Sequence, residues 1–171
     1  AGGGFLNLGG AKFLAQWDGS AWSGVGTEQP NDAVMAIAAR ATQLYAAGSF
    51  SAVGSTPASR AAVYSPASGW GAIAGANAGD APSDQVRTLS VFDDDGAGPH
   101  GPSLCVGGDF RVIGSLQANH LALWDGAAWS ALGAGVSGPV YAARPGLTPG
   151  TLIAGGRFAT AGDMPAVNVA M

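Results

Sequence analysis

The chain has 171 residues, 47% of them hydrophobic and only 11% charged, with a net charge of −4. One lysine (Lys12) and scattered arginines form no basic patch that could neutralise a run of phosphates, which argues against a nucleic-acid partner. A single cysteine excludes an intramolecular disulfide framework and a cysteine-rich metal site, and no run of apolar residues is long enough for a membrane-spanning helix.

Glycine (29 copies) and proline (10) make up over a fifth of the chain, yet the glycines are periodic and interleaved with Trp, Phe, Tyr, Leu and Val. Periodic glycine between short apolar runs marks tight turns between strands, and long helix-forming stretches are missing, so the chain reads as all-β. The first unit opens with a small-residue step, Ala1 to Gly4, into Phe5, with Gly9 four places on. A strand at 13–17 ends in Trp17. The Asp18-Gly19 pair then predicts a tight hairpin, because glycine takes the positive φ that such turns demand. The hairpin delivers Trp22, and an apolar run at 33–39 leads into the next copy.

That copy repeats the order: a strand at 43–47, Gly48, Phe50, Gly54, a polar loop with Pro57, a strand at 60–64 ending in Tyr64, a longer turn at 65–69 and Trp70. After an apolar run at 86–92 comes the longest insertion, 92–102. The third copy follows with a strand at 103–106, Gly107-Gly108, Phe110, Gly114, a strand at 120–124 ending in Trp124, Asp125-Gly126 and Trp129. A run at 140–143 precedes the fourth, with 151–154, Gly155-Gly156, Phe158, Gly162 and Pro165. The four phenylalanines lie 45, 60 and 48 residues apart.

Four short strands per repeat of this length is the content of one propeller blade. The expected architecture is a single repeat domain over 1–171, built of four-stranded antiparallel β-propeller blades. About three to three and a half blades are present, in units of roughly 1–45, 46–105, 106–153 and an incomplete 154–171. Both ends fall inside a unit, which predicts either part of a larger propeller or an assembly in which several copies complete one ring. A lone blade cannot bury both faces of its sheet. The aromatics of each hairpin (Trp17, Trp22, Trp124, Trp129) are therefore expected to fill the gaps between blades before they serve as sugar-stacking platforms.

The order strand, Gly-Gly, strand ending in Trp or Tyr, turn, Trp resembles the kelch-type repeat of galactose-oxidase-like propellers. Its fuller form is similar to repeats of large secreted or surface-attached bacterial proteins and of some fungal cell-surface landmark proteins. The third copy matches best, from Leu104 through Trp124-Asp125-Gly126 and Trp129-Ser130 to Leu132-Gly133. The second departs, with Tyr64 for Trp and a longer turn for Asp-Gly. The resemblance implies a non-catalytic module, extracellular, periplasmic or at the cell surface, for protein or glycan binding or for scaffolding in a larger assembly. The alternative it leaves is part of a carbohydrate-active propeller enzyme whose active site lies in other blades. The copper site of galactose oxidase needs a cysteine cross-linked to tyrosine together with two histidines. Cys105 instead lies in an apolar strand, where a buried, inert thiol is expected.

No catalytic or cofactor-binding constellation stands out. Asp93, Asp94 and Asp95, followed by Gly96, are the calcium candidates, although adjacent carboxylates diverge where a standard loop alternates them, and no glutamate closes the site. A solvated hairpin loop is the rival reading. His100 and His120 are expected at the surface. The repeat-variable columns are the candidates for partner contact: Arg60, Asn119, His120 and Asn168 before the aromatic strand, and Ser51, Arg111 and Ala159 after the phenylalanine.

Overall fold

The computed structural model describes residues 1–73, 82–96 and 98–171. Among these residues every regular element is a strand, and no helix is long and apolar enough to cross a membrane. In chain order, β1 (Ala15–Trp17) and β2 (Trp22–Gly24) form a hairpin. The first four-stranded sheet follows: β3 (Val34–Arg40), β4 (Gln43–Gly48), a small hairpin of β5 (Ala52–Val53) and β6 (Thr56–Pro57), then β7 (Ala61–Ser65) and β8 (Gly69–Ala72). The second repeats it with β9 (Val86–Phe92), β10 (Ser103–Gly108), the hairpin β11 (Val112–Ile113) and β12 (Leu116–Gln117), β13 (Leu121–Trp124) and β14 (Trp129–Ala131). The third contains β15 (Val140–Pro145), β16 (Leu152–Gly156), the hairpin β17 (Thr160–Ala161) and β18 (Met164–Pro165), and β19 (Val169–Ala170).

All pairings are antiparallel, and the two complete sheets have the orders β3-β4-β7-β8 and β9-β10-β13-β14. Each sheet starts with the apolar run that closes one sequence unit and continues into the next unit, so the sheets straddle boundaries drawn on phenylalanine. The segment after Phe50, Phe110 and Phe158, read from sequence as containing a polar loop, folds into a hairpin of two-residue strands, and after Phe5 a single bridge joins Leu8 to Ala11. Gly54, Gly114 and Gly162 take φ of 56°, 58° and 55° at the hairpin tips.

Two local devices recur. Gly48, Gly108 and Gly156, two places before phenylalanine, lie so close to the first strand that a Cβ would sit 2.1, 2.1 and 2.0 Å from the carbonyl oxygens of Ala33, Gln85 and Pro139. Only glycine permits that approach. The second device is a non-glycine residue at positive φ just before the third strand: Phe13 (63°), Arg60 (68°), His120 (74°) and Asn168 (66°). Its N–H donates to the carbonyl of Phe5, Phe50, Phe110 or Phe158 at 2.8–3.0 Å, and its own carbonyl accepts from Gly3, Gly48, Gly108 or Gly156. These paired bonds hold a conformation that costs on the order of 1–3 kcal/mol. They also lay the third strand beside the second.

Side chains alternate between faces, and each face packs on a neighbouring sheet. Leu14 and Val25 of the N-terminal unit pack with Val34, Ala46 and Phe50 of the first sheet. Tyr45, Ala47 and Ala61 of the first pack with Leu104, Val106 and Trp124 of the second. Cys105, Leu121 and Leu123 of the second pack with Val140, Ala143 and Ala154 of the third. The sheets approach most closely at their first strands, where β9 lies against both β3 and β15, and no comparable contact joins β8 to β14. The gap therefore widens outward, and paired aromatics fill it. Trp124 and Trp129 stand opposite each other with ring centroids 5.1 Å apart, as do Tyr64 and Trp70 at 5.2 Å. Trp70 Nε1 also donates to the Val25 carbonyl of the preceding unit at 3.0 Å.

The expected packing role holds for Trp124, which is buried, and for the partly buried Trp129. It fails at Trp17, which is 53% exposed because no sheet among the described residues covers its face. Trp124→Ala should lower unfolding free energy by about 3–5 kcal/mol in urea titration. Gly108→Ala should cost about 1–3 kcal/mol or more through collision with the Gln85 backbone. Gly71→Ala, where the nearest atom is Val63 Cγ1 at 3.9 Å, should be far milder in the same assay.

Candidate functional site

The variable columns meet at the rim between the second and third sheets. A cleft of about 210 Å³ is lined by Arg111 after Phe110, by Asn119 and His120 before β13, by Ser137 in the connection to β15, and by Thr160 on β17. Its framework is hydrogen-bonded across the sheet boundary. Ser137 Oγ accepts from the N–H groups of Ala159 and Thr160 at 3.0 Å, and Asn119 Nδ2 donates to the Ala134 carbonyl at 3.0 Å. The Val136 N–H donates to the Asn119 carbonyl at 3.0 Å. Analogous bonds at the earlier boundaries run from Ser51 and Ala52 N–H to Asn31 Oδ1, and from Val112 N–H to Ser83 Oγ. The rim is thus held by the repeat while its side chains vary.

His120 requires a correction. Expected at the surface, it is only 4% exposed. The positive-φ turn carries its ring inward, where Nδ1 lies 3.2 Å from the Gly108 carbonyl. Burial pulls its pKa below the ordinary histidine value and the nearby Arg111 charge adds to this, while the Gly108 carbonyl opposes it. At neutral pH the ring is uncharged. Donation from Nδ1–H to Gly108 leaves Nε2 an acceptor. The neighbouring acid, Asp109, is committed to Arg87 through two hydrogen bonds of 2.8 and 2.6 Å.

The other candidates lie apart. Arg60 occupies the column of His120 at the preceding boundary and spends its guanidinium on the Ser49 carbonyl. Asn168 holds the same position in the third sheet and is exposed. In the insertion, Asp93 Oδ1 accepts from the N–H of Asp95 and of Gly96, at 3.3 and 2.9 Å, so it faces its own loop. Asp95 Oδ2 accepts from the His100 N–H at 3.0 Å and lies 3.2 Å from His100 Nδ1. The His100 N–H first, and its ring charge as a lesser cause, keep the Asp95 carboxyl below its usual pKa. Asp94, Asp95 and His100 thereby gather at the exposed tip, a grouping that includes a histidine the sequence reading had set aside. Cys105 is fully buried, and burial pushes its thiol pKa up to about 12, which leaves it protonated and inert.

Pairing across the sheet boundary was the feature hidden from sequence. Nothing in the spacing of Ser137 or Thr160 places them beside Arg111. Comparison of the chain with known protein families, with curated proteins and with solved structures returns no match.

Because the folded state holds His120 less protonated than the unfolded chain, its contribution to stability is complete above about pH 6.5 and is lost as pH falls through that value toward the lowered folded pKa. His120→Asn keeps a residue that accepts positive φ, as Asn168 does. Urea midpoints measured between pH 7.5 and 5 should fall less steeply for this variant than for the parent.

Proposed function

We propose that the chain is a non-catalytic, extracellular propeller-type module that binds a protein or glycan through the cleft at Arg111, Asn119, His120, Ser137 and Thr160. The outward-widening gap between successive sheets supports the propeller reading, because sheets that touch at one edge and are wedged apart at the other fan around that edge. The kelch-like order of the repeat supports the extracellular assignment.

The observation that carries the binding role is the meeting of variable polar side chains on a frame of repeated backbone bonds. A guanidinium, an amide and two hydroxyls supply donors, and the neutral imidazole supplies an Nε2 acceptor, which suits a carboxylate flanked by hydroxyls. An acidic sugar offers that chemistry, as does an acidic protein segment. Among the described residues lining the cleft the polar groups are a guanidinium, an amide, an imidazole and hydroxyls, the groups a binding role requires.

Titration with glucuronate, glucose and a glutamate-rich peptide, followed by NMR shifts of the His120 ring and Arg111 side chain, tests the reading. The acidic probes should shift both signals and glucose should act weakly. Arg111→Ala should weaken the acidic probes at least tenfold, as loss of a charge-assisted bond worth about 1.5–3 kcal/mol requires. Unmoved His120 and Arg111 signals with all three probes, or full affinity in Arg111→Ala, would overturn it.

A further inference from the structure

Much of the hydrogen-bonding capacity around the rim cleft is already engaged, and what is left over is selective. A hydroxyl oxygen accepts two hydrogen bonds and donates one. Ser137 Oγ takes the N–H groups of Ala159 and Thr160, both at 3.0 Å, so it meets a ligand as a donor. Asn119 is anchored at both ends of its amide, Nδ2 donating to the Ala134 carbonyl at 3.0 Å and Oδ1 accepting from Gln117 Nε2 at 2.6 Å. Arg111 brings a guanidinium, which donates and does not accept.

His120 differs from all of these. It is the buried member of the group, only 4% exposed, yet it lines the cleft. Nδ1 lies 3.2 Å from the Gly108 carbonyl. A carbonyl only accepts, so Nδ1 carries the proton and Nε2 is left with a lone pair. Burial first, and the Arg111 charge with it, keeps the ring neutral at neutral pH. Water can serve the exposed groups when a ligand leaves them unmatched, but a buried acceptor has no such relief. A bare carboxylate satisfies Arg111 and sets its oxygen lone pairs against that of the imidazole. A hydroxyl alone meets the imidazole and gives the guanidinium no anion. Sites of this kind discriminate sharply against a ligand that lacks one of the matching groups.

We infer, building on the acid-binding reading above, that the cleft takes a hydroxy acid of the uronic-acid type, in which a hydroxyl stands on the carbon next to the one bearing the carboxylate. The carboxylate lies against Arg111 and the Ser137 hydroxyl, and the neighbouring hydroxyl donates to His120 Nε2. An aspartate or glutamate side chain supplies only the first of these, so a glycan carrying uronic acid is the partner and an acidic protein segment is not.

Calorimetric titration at neutral pH with methyl glucuronide, the same sugar deoxygenated beside the carboxylate-bearing carbon, methyl glucoside and a glutamate-rich peptide tests the inference. The glucuronide should bind about tenfold or more tightly than each of the others. In its complex the nitrogen-15 signal of His120 Nε2 should shift while keeping its unprotonated character. His120→Asn keeps a residue that accepts positive φ, as Asn168 does, and should erase the preference for the glucuronide over its deoxygenated form. Thr160→Val removes the neighbouring hydroxyl able to accept and should leave that preference intact. Urea titration confirms that each variant is folded, and the nitrogen-15 reading is made on the parent and needs neither. Equal affinity for glucuronide, deoxygenated sugar and peptide would overturn the inference while leaving acid recognition by the cleft in place. A ring that gains a proton on binding glucuronide, or a preference lost in Thr160→Val and kept in His120→Asn, would do the same. Failure of every probe to bind would overturn both readings together.

Discussion

Successive sheets touch closely along one edge and must be held apart along the other, and this wedge governs the rest of the molecule. Where β3, β9 and β15 approach, the facing residues are small or β-branched, such as Ala36, Ala38 and Val86, and the glycine two places before phenylalanine lets backbone meet backbone. Farther out, a ring pair is needed because aliphatic side chains would leave a void. Small residues at one end of the wedge and tryptophans at the other are two halves of one packing solution. Exchanging either for a mid-sized aliphatic would leave a collision or a cavity.

The same geometry explains the unusual backbone. To bring the third strand alongside the second after an excursion through a two-residue hairpin, the chain must turn sharply, and it does so at Phe13, Arg60, His120 and Asn168 in the left-handed region. Phenylalanine, arginine and histidine are poorly suited to that conformation. Two backbone hydrogen bonds compensate at each position, so the side chain is released from any local duty and is free to differ among copies. A column that varies by residue type is uniform in its backbone. In the second sheet the freed side chain turns inward as His120, and in the first it reaches the Ser49 carbonyl as Arg60.

Much of this was legible because the signals are local. Asp18 and Asp125 each accept from two following N–H groups, as the Asp-Gly hairpin reading implies, and the strands read at 13–17, 60–64 and 120–124 from the repeat order form at Ala15–Trp17, Ala61–Ser65 and Leu121–Trp124. The left-handed turn residues were opaque, because nothing in phenylalanine, arginine or histidine announces positive φ. The rim cleft was half legible. The variable columns named Arg111, Asn119 and His120, but Ser137 and Thr160 belong to another sheet and join them only through stacking. Exposure at Trp17 was misread for a related reason: a repeat column predicts the same packing for every member, and no sheet among the described residues covers the face of Trp17.

Hydrogen bonding in this architecture runs within each sheet and across the boundary to the next, and burial is likewise shared between nearest neighbours. Cooperativity therefore travels from sheet to sheet as along a row of dominoes. The two complete sheets are joined through the buried Trp124. Amide protons of β4 and β10, each paired on both sides, should exchange with solvent last, and those of the two-residue β19 early.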